Sequence, residues 1–316
     1  MGWLCVTIDM DGPFEYSALH GVHSVNVDGQ MMYRGPLQRF VALMQELGVH
    51  ATLFVVGRDL HGYAREALTD LLACGHEVGN HSHTHNYRLS GYPTPRIRED
   101  INRAHSAFRS ELGVTPVGFR APGHQVTPGI LDVLQFLHYR YDTSVFPSPA
   151  YYGLKAVALL SYKARLRRSN ALQGTPRMAL APRLPYRPGT DPHAVGERDI
   201  IELPTAVSRI LRLPMTGAAF ALMPAWLRHR CIESVHGEPA VVLNFHAMDF
   251  VDATSDALPE RLVSLQPELR VPIHHRLTIY RDALERLVRQ RRGITCRALL
   301  ETREVGDSLD KRWRVG

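Results

Sequence analysis

Short apolar runs alternate with amphipathic segments along most of this chain of 316 residues. A run of four to eight apolar residues favours a buried strand, whereas apolar residues at a spacing of three or four favour a helix. Strands that alternate with helices predict the α/β class, with a parallel sheet covered by helices. The predicted strands are residues 4–9, 52–56, 77–80, 117–121, 139–143, 200–207 and 240–245. The predicted helices are residues 36–47, 63–74, 94–112, 127–137 and 277–292.

Residues capable of chemistry follow five of the predicted strands at the point where each strand ends. They are Asp9, His81, Arg120, Asp142 and His246. In a barrel of alternating strands and helices, the active site lies at the carboxyl ends of the strands. We therefore expect these five side chains to share one site at that end of a (β/α) barrel.

A cluster of three histidines, His81, His83 and His85, follows the third predicted strand. Neutral imidazole is the commonest protein ligand for zinc and related metals. If helical geometry begins near Ser82, His81 and His85 can converge on one ion, because residues four apart share a helix face. If the segment stays extended, His81 and His83 share a face instead. A polar turn with surface histidines is the alternative that involves no metal.

Two carboxylates, Asp9 and Asp11, end the first predicted strand and precede a Gly12-Pro13 turn. On an extended strand both side chains point to the same face, with Met10 turned away. Both can therefore reach one cavity, where one can bind a metal ion and the other can act as a base. Helix capping or turn chemistry is the alternative explanation for the two residues.

Five short motifs, taken together and in order, resemble those of polysaccharide deacetylases of carbohydrate esterase family 4. The motifs are Thr7-Ile8-Asp9-Met10-Asp11, His81-Ser82-His83-Thr84-His85, Arg120-Ala121-Pro122, Tyr141-Asp142-Thr143-Ser144 and Leu243-Asn244-Phe245-His246. The resemblance implies a distorted barrel of seven strands, written (β/α)7, and a metal-dependent hydrolase. The first motif departs from the family pattern, because Met10 separates two aspartates that are usually adjacent.

The same resemblance implies a role for each motif residue. The implied roles are general base for Asp9, metal ligands for Asp11, His81 and His85, an ion pair with Asp9 for Arg120, and general acid for His246. Asp142 would hydrogen-bond His246 and raise the pKa of that histidine, so that it carries a proton. Without the motifs, Arg120 could equally form a structural ion pair, and His246 could be a core residue of an apolar strand.

The substrate and the metal are less closely defined than the catalytic residues. We expect Pro122, His124 and Tyr141 to contact substrate, although strand packing is the alternative for Tyr141. The expected cofactor is one divalent ion, with zinc first and cobalt, nickel or manganese as alternatives. His83 has no assigned role beyond an exposed position or a hydrogen bond to a ligand.

An excess of basic residues gives the chain a formal net charge of +6 and a pI of about 9.3. This charge favours an anionic partner, which we expect to be a phosphorylated sugar or a membrane surface and not a nucleic acid. No apolar run approaches the roughly twenty residues that span a bilayer, and no basic leader precedes the first strand. The four cysteines are scattered (Cys5, Cys74, Cys231 and Cys296). We therefore expect a cytoplasmic protein with reduced thiols, located at the inner face of the membrane when it contacts one.

Two segments exceed a minimal barrel, although residues 1–316 are expected to form a single catalytic domain. Residues 150–198 form a long insertion between the fifth and sixth strands, and residues 258–316 form a C-terminal helical extension. Residues 150–190 contain lysines, arginines, aromatic and apolar residues but no acidic residue. Such a segment suits peripheral contact with anionic lipid, and a solvated helical cover on the barrel is the alternative.

The predicted function is removal of an N-acyl group, most simply N-acetyl, from an amino sugar during synthesis of a cell-surface polysaccharide or glycoconjugate. The substrate could be phosphate-linked or lipid-linked. A deformylase or another C–N hydrolase on a lipid-linked or small-molecule substrate needs the same catalytic residues, so the motifs do not separate the two. A catalytically inactive sugar-binding barrel is the alternative of another class, and retention of the ligands, base and acid disfavours it. The sequence leaves the oligomeric state open.

Overall fold

The computed structural model describes residues 2–21, 28–153, 176–256 and 258–302. The strands are β1 (Gly2–Asp9), β2 (Thr52–Val55), β3 (Glu77–Asn80), β4 (Gly118–Phe119), β5 (Tyr141–Asp142), β6 (Ile201–Glu202), β7 (Ala240–His246) and β8 (Arg291–Gly293). Seven of them form a curved parallel sheet in the order β6-β5-β4-β3-β2-β1-β7, and β8 pairs with the start of β1. The predicted α/β class and distorted barrel of seven strands are confirmed.

Helices surround the sheet and follow its strands. They are α1 (Pro13–His20), α2 (Gly35–Leu47), α3 (Gly62–Ala73), α4 (Thr94–Leu112), α5 (Pro128–Phe136), α6 (Gly217–Leu222), α7 (Ala225–Ser234), α8 (Glu260–Leu265), α9 (Ile273–Val288) and α10 (Cys296–Leu299). The predicted stops of α2 and α4 are confirmed, since Gly48 and Gly113 cap these helices with φ values of 63° and 67°. That left-handed conformation favours glycine.

The barrel is distorted where the outer strands β6 and β7 face each other. The chain that follows β6 lies beside β7, where the Ala206 amide donates to the Val242 carbonyl at 2.8 Å. Further along, Thr216 forms a parallel bridge with Asn244. The carboxyl end of β7 is therefore held by an irregular segment and not by a regular strand.

The C-terminal extension differs from the predicted single helix over 277–292. The helix α9 ends at Val288, and Arg291–Gly293 forms β8. The Arg291 guanidinium is buried and donates to the carbonyls of Val235 and Glu238. Tertiary contacts thus override the helical preference of this basic segment. The local sequence pattern carries no information about those contacts.

The long insertion is only partly described. Residues 154–175, which include most of the predicted membrane-contacting segment, lie outside the described residues. In the described remainder, Tyr186 forms an antiparallel bridge with Glu202 at the outer edge of β6. No helix in the described part of the chain is long and apolar enough to cross a membrane.

Different groups of side chains pack against the two faces of the sheet, and this difference determines where the site lies. Along β1, Leu4, Val6 and Ile8 belong to the large core beneath the helices, whereas Cys5 belongs to the cluster inside the barrel. Successive side chains of a strand point to opposite faces. Asp9 therefore shares the interior face with Cys5 and lies at the carboxyl end of the barrel.

A buried carboxylate, Glu77 at the start of β3, ties four elements together at the opposite end of the barrel. It accepts hydrogen bonds from Thr52 Oγ1 at 2.8 Å, from the Tyr141 hydroxyl at 2.8 Å and from the Arg297 amide at 2.9 Å. Burial raises the pKa of Glu77 despite these three donors. The network joins β2, β3, β5 and α10.

We predict that Glu77→Ala lowers the free energy of unfolding by about 2–4 kcal/mol, because it leaves buried donors without an acceptor. Urea denaturation would measure this loss. Thr69→Ala is the matched control, since it removes an exposed hydroxyl that bonds only to the Arg65 carbonyl of its own helix. We expect the control to change stability by less than about 0.5 kcal/mol. A Glu77→Ala variant as stable as this control would contradict the role given to the network.

Candidate active site

Asp9 and Arg120 form a buried ion pair at the centre of the predicted site. Arg120 Nη1 lies 2.5 Å from Asp9 Oδ1, and neither side chain is more than 2% exposed. Burial opposes ionisation of Asp9, but Arg120, His81, His246 and His124 together hold the pKa of its carboxyl below the ordinary value. Asp9 is consequently a carboxylate in this structure. The ion pair that the motifs predicted is present.

Arg120 also binds polar groups beyond Asp9. Its Nη1 atom donates to Thr7 Oγ1 at 3.0 Å and to Asn244 Oδ1 at 2.7 Å. Its Nη2 and Nε atoms donate to the hydroxyl and the carbonyl of Thr143 at 2.6 and 3.1 Å. These partners lie on or directly after β1, β5 and β7. The guanidinium therefore fixes the positions of three strand ends relative to one another.

The rings of His81 and His85 converge, as the predicted metal site requires. Their Nε2 atoms lie 3.1 Å apart. A loop brings about this convergence instead of the helical turn considered from the sequence, since Ser82 and His85 have φ values of 64° and 47°. The Asn80 side chain accepts from the Ser82 amide at 2.8 Å, and Ser82 Oγ accepts from the His85 amide at 3.0 Å. These two bonds hold a backbone conformation that is uncommon for residues other than glycine.

His81 is oriented by a second contact at its other ring nitrogen. Its Nδ1 atom lies 2.7 Å from the carbonyl oxygen of Arg120. A carbonyl only accepts, so Nδ1 carries the proton and Nε2 keeps its lone pair. Burial lowers the pKa of His81 and of His85, which favours the neutral form of both rings. A hydrogen bond of this kind is typical of a histidine that binds a metal through the opposite nitrogen.

Asp11 is a buried carboxylate with an unsatisfied oxygen. Its Oδ1 atom has no hydrogen-bond partner among the described residues. Burial and the neighbouring charges of Asp9, Glu15 and Asp249 raise its pKa. Asp11 also contributes to the raised pKa of Tyr87, whose ring meets the His85 ring edge-on at 4.9 Å. An unpartnered carboxylate among acidic neighbours fits a site that takes a cation.

His83 points away from the convergence of the other two histidines. Its amide donates to Asp100 Oδ1 at 2.8 Å, and the adjacent Thr84 hydroxyl donates to Asp100 Oδ2 at 2.6 Å. A Cβ added at Gly57 would lie 3.0 Å from His83 Nδ1. His83 therefore packs between the loop after β2 and helix α4.

The loop that carries Asp11 is tied to the histidine loop by Glu15 and Arg58. Glu15 Oε2 accepts from the Gly12 amide at 2.8 Å, and its other oxygen pairs with the Arg58 guanidinium. Arg58 Nη1 also lies 3.4 Å from the Thr84 carbonyl oxygen. Neither residue belongs to a sequence motif, and the sequence analysis missed both. The pair fixes the distance between two loops that supply candidate ligands.

Asp59 lies beside this pair and gives a test that depends on pH. Burial and the charge of Glu15 raise the pKa of Asp59 to about 7, against the attraction of Arg58. The unfolded chain loses the same proton near pH 4. The folded state therefore binds the proton more tightly, and this contribution to stability decreases as the pH rises from about 4 to about 7.

We predict that Asp59→Asn removes this decrease. Relative to the wild type, the variant should gain at least about 1 kcal/mol of unfolding free energy between pH 5 and pH 8. Urea denaturation at the two pH values measures the difference. An equal change in both proteins would show that Asp59 ionises normally.

His246 and His124 face Asp9 from the other side of the site. His246 Nε2 lies 3.6 Å from Asp9 Oδ2, and Asn244 Nδ2 lies 3.3 Å from the same oxygen. His124 Nε2 lies 3.4 Å from Asn244 Nδ2, with a backbone φ of 59°. One ligand atom each from Asp9, His124 and His246 lie within 4.8 Å of one another. This group is a second arrangement that could hold a metal.

The expected hydrogen bond between Asp142 and His246 is not found among the bonds of the described residues. Asp142 instead accepts from Ser144 Oγ at 2.7 Å and is hydrogen-bonded to Glu202. Burial raises the pKa of both carboxyls, which favours a proton shared between them. Burial lowers the pKa of His246, and the carboxylate that opposes this effect is Asp9. Asp142 therefore supports the strand end beside Arg120 and does not tune His246.

The expected substrate-binding residues divide into two groups. Pro122 and His124 form a short turn directly after β4, beside the site, and the His124 ring lies 5.2 Å from the Phe146 ring. Tyr141 is fully buried inside the barrel, where its hydroxyl binds Glu77. The assignment of Tyr141 to the substrate cleft is therefore corrected, and strand packing explains this residue.

Comparison with known proteins supports the family that the motifs suggested. Residues 28–141 match the family model described as polysaccharide deacetylase. This match supports the resemblance that the motifs indicated, over less than half of the chain. No curated protein sequence matches it.

Several solved structures align with this chain. A candidate polysaccharide deacetylase from Mycobacterium smegmatis aligns at 19% identity and a TM-score of 0.50, covering 92% of this chain and 93% of its own. A mutant of a Bacillus anthracis CE4-family pseudoenzyme with restored activity aligns at 12% identity and a TM-score of 0.47. The alignment covers 94% of this chain and 67% of the pseudoenzyme chain. A cobalt complex of a family 4 acetyl xylan esterase from Clostridium thermocellum aligns at 15% identity and a TM-score of 0.43. The alignment covers 95% of this chain and 90% of the esterase chain. The first of these alignments shows the fold.

Among the described residues, the structure brings together only Asp9, His124 and His246 as a group of three ligand atoms within 4.8 Å of one another, and the predicted set of Asp11, His81 and His85 is not such a group. The surrounding contacts nevertheless distinguish the two sets. In the group of Asp9, His124 and His246, the carboxylate is already neutralised by Arg120. In the set predicted from the motifs, Asp11 Oδ1 has no hydrogen-bond partner among the described residues. Two imidazole nitrogens bound to a tetrahedral zinc ion at about 2.0–2.1 Å lie about 3.3 Å apart. The separation of 3.1 Å between His81 and His85 fits that requirement.

We predict that His81→Ala and His85→Ala each lose the bound metal, whereas His124→Ala retains it. The reason is that only the first two variants remove an imidazole from the set that contains Asp11. Elemental analysis after dialysis measures metal per chain, and circular dichroism checks that each variant is folded. The reverse pattern, with metal lost only from folded His124→Ala, would assign the ion to Asp9, His124 and His246.

Proposed function

We propose that this protein is a metal-dependent hydrolase that removes an N-acetyl group from an amino sugar. The observation that carries the proposal is the difference between the surroundings of Asp9 and those of Asp11. Asp9 is paired with Arg120, which favours its ionised form, whereas Asp11 has a buried oxygen without a hydrogen-bond partner among the described residues. Amide hydrolysis needs both a base and an electrophile, and these two carboxylates suit the two roles.

The residues that would hold the metal are Asp11, His81 and His85. A divalent ion bound there would supply Lewis acidity toward a water molecule and the amide carbonyl. Zinc is the first choice for this mixture of nitrogen and oxygen ligands, with cobalt, nickel or manganese as alternatives. Which metal the protein takes is part of the proposal.

Asp9 is the general base in this proposal. Its Oδ1 atom is occupied by Arg120, which leaves Oδ2 to accept the proton of the attacking water. Asn244 Nδ2 lies 3.3 Å from Oδ2 and holds it in place. Ionisation by Arg120 ensures that this oxygen is ready to take a proton at neutral pH.

His246 is the general acid in this proposal. Its Nε2 atom lies 3.6 Å from Asp9 Oδ2, and its side chain is 31% exposed, in contrast to the buried Asp9. A proton that Asp9 takes can therefore reach His246, which faces the open side where the amine departs. The partly desolvated surroundings of His246 lower its pKa despite the opposing charge of Asp9, so the histidine gives up a proton readily.

A substrate panel tests the proposed reaction. The metal-loaded protein would be incubated with N-acetyl and N-formyl amino sugars in free, nucleotide-linked and lipid-linked form, and released acetate and formate would be measured. We expect acetate release from at least one member. Formate release alone would indicate a deformylase. Bound metal without turnover of any member would favour the inactive sugar-binding barrel. Residence in the cytoplasm and the phosphate or lipid linkage of the substrate stay predictions.

We predict that Asp9→Asn retains the metal but lowers kcat by about 10²–10⁴-fold, because an amide cannot accept the proton of water. Asp11→Asn is the matched variant and should lose the metal. Both residues are buried, one at the end of β1 and the other two positions later, so the pair of variants separates the two roles. Metal loss from Asp9→Asn, or activity within a few-fold of the wild type, would show that the roles have been exchanged.

A further inference from the structure

The loop at residues 208–213 exposes two large aliphatic side chains next to each other. Ile210 is 85% exposed and Leu211 is 66% exposed. Leu180, which is 69% exposed, lies on a turn bound to this loop, because Arg212 Nη1 donates to the carbonyls of Ala179 and Ala181. Single exposed apolar residues are common, but a contiguous group of them marks an interaction surface.

The loop holds these side chains in a fixed conformation. The Ser208 amide donates to the Leu213 carbonyl at 2.9 Å, and the Leu213 amide donates to Ser208 Oγ at 3.0 Å. The Arg209 amide donates to Ser234 Oγ on α7 at 3.0 Å. At the end of the loop Arg212 has a φ of 49°, an uncommon conformation for a residue other than glycine. These hydrogen bonds therefore close the loop at its base, and the two apolar side chains at its tip are exposed to solvent.

The loop lies beside the amino end of β7, because Arg209 is bonded to Ser234, the last residue of the helix that leads into this strand. It follows the carboxyl end of β6, and its Arg212 carbonyl accepts from Ser148 Oγ at 2.7 Å. Ser148 follows β5 and is two residues beyond Phe146, whose ring lies 5.2 Å from the ring of His124. One short segment thus connects the loop to the site.

The charges of the loop indicate what kind of surface it fits. Arg209 and Arg212 flank the two apolar residues, and the loop contains no acidic residue. Arg209 is exposed and is absent from the ion pairs found among the described residues. Aliphatic side chains between arginines match the boundary of a bilayer, where acyl chains lie beneath anionic headgroups.

We propose that the loop at residues 208–213 docks this protein onto an anionic lipid surface, with Ile210 and Leu211 entering the headgroup region. The docking itself is independent of the proposed reaction. The surface is formed by residues outside the segment 154–175.

Vesicle co-sedimentation of the full-length protein tests the docking. The vesicles would contain either phosphatidylcholine alone or phosphatidylcholine mixed with phosphatidylglycerol, each at low and at high salt. We expect binding to the mixed vesicles at low salt, weaker binding at high salt, and little binding to phosphatidylcholine alone, because screening weakens attraction to anionic headgroups. The double variant Ile210→Ser/Leu211→Ser should bind the mixed vesicles at least about tenfold more weakly, since apolar insertion strengthens binding. Arg209→Gln should reduce the dependence on salt.

Phe136→Ser is the matched control. Phe136 is 63% exposed at the end of α5, which leads to β5 and not to β7. The control should bind vesicles as the wild type does. Equal binding by the wild type and the loop variant, or no binding by the wild type, would overturn the proposal. Light scattering that shows a dimer in the wild type and a monomer in the loop variant would overturn it in favour of a second copy of the chain. Turnover of a free sugar by the loop variant separates failure of docking from failure of the proposed reaction.

Discussion

The buried guanidinium of Arg120 is the contact on which the rest of the site depends. A charge inside a protein is costly unless it is paired and its donors are satisfied. Here Asp9 supplies the charge, while Thr7, Thr143 and Asn244 supply acceptors. These groups come from β1, the end of β5 and β7, so that one side chain specifies how three strand ends meet. The same contact orients His81 through the Arg120 carbonyl.

The ion pair also separates the chemistry of two aspartates that are two residues apart. Both are buried, Asp9 at the end of β1 and Asp11 just after it, and desolvation alone would raise the pKa of each. Arg120 compensates Asp9, whereas Asp11 is surrounded by further carboxyls and has an unpartnered oxygen. One therefore suits a proton acceptor and the other suits a cation ligand. The environment, more than the residue type, assigns the roles.

The parts of the fold and site that were predicted correctly are those that local pattern encodes. Strand periodicity placed Asp9 and His246 at strand ends, and the same period of two placed Asn244 on the face of His246, a signal that the sequence analysis passed over. The left-handed backbone of Ser82 and His85 and the partners of Asp142 depend on residues far apart in the chain. So does β8, a short basic segment that becomes a strand only because its arginine is buried against distant carbonyls. Such features arise from tertiary contacts, which a single sequence does not display.

The central claim is that Arg120 reserves Asp9 for proton transfer and leaves Asp11 to bind the metal. The most direct test is X-ray diffraction from crystals of the zinc-loaded protein, with data collected on both sides of the zinc absorption edge. The account predicts an anomalous difference peak bounded by Asp11, His81 and His85, with the Arg120–Asp9 ion pair intact. A peak bounded by Asp9, His124 and His246, or an Asp9 carboxylate drawn away from Arg120 to the ion, would contradict it.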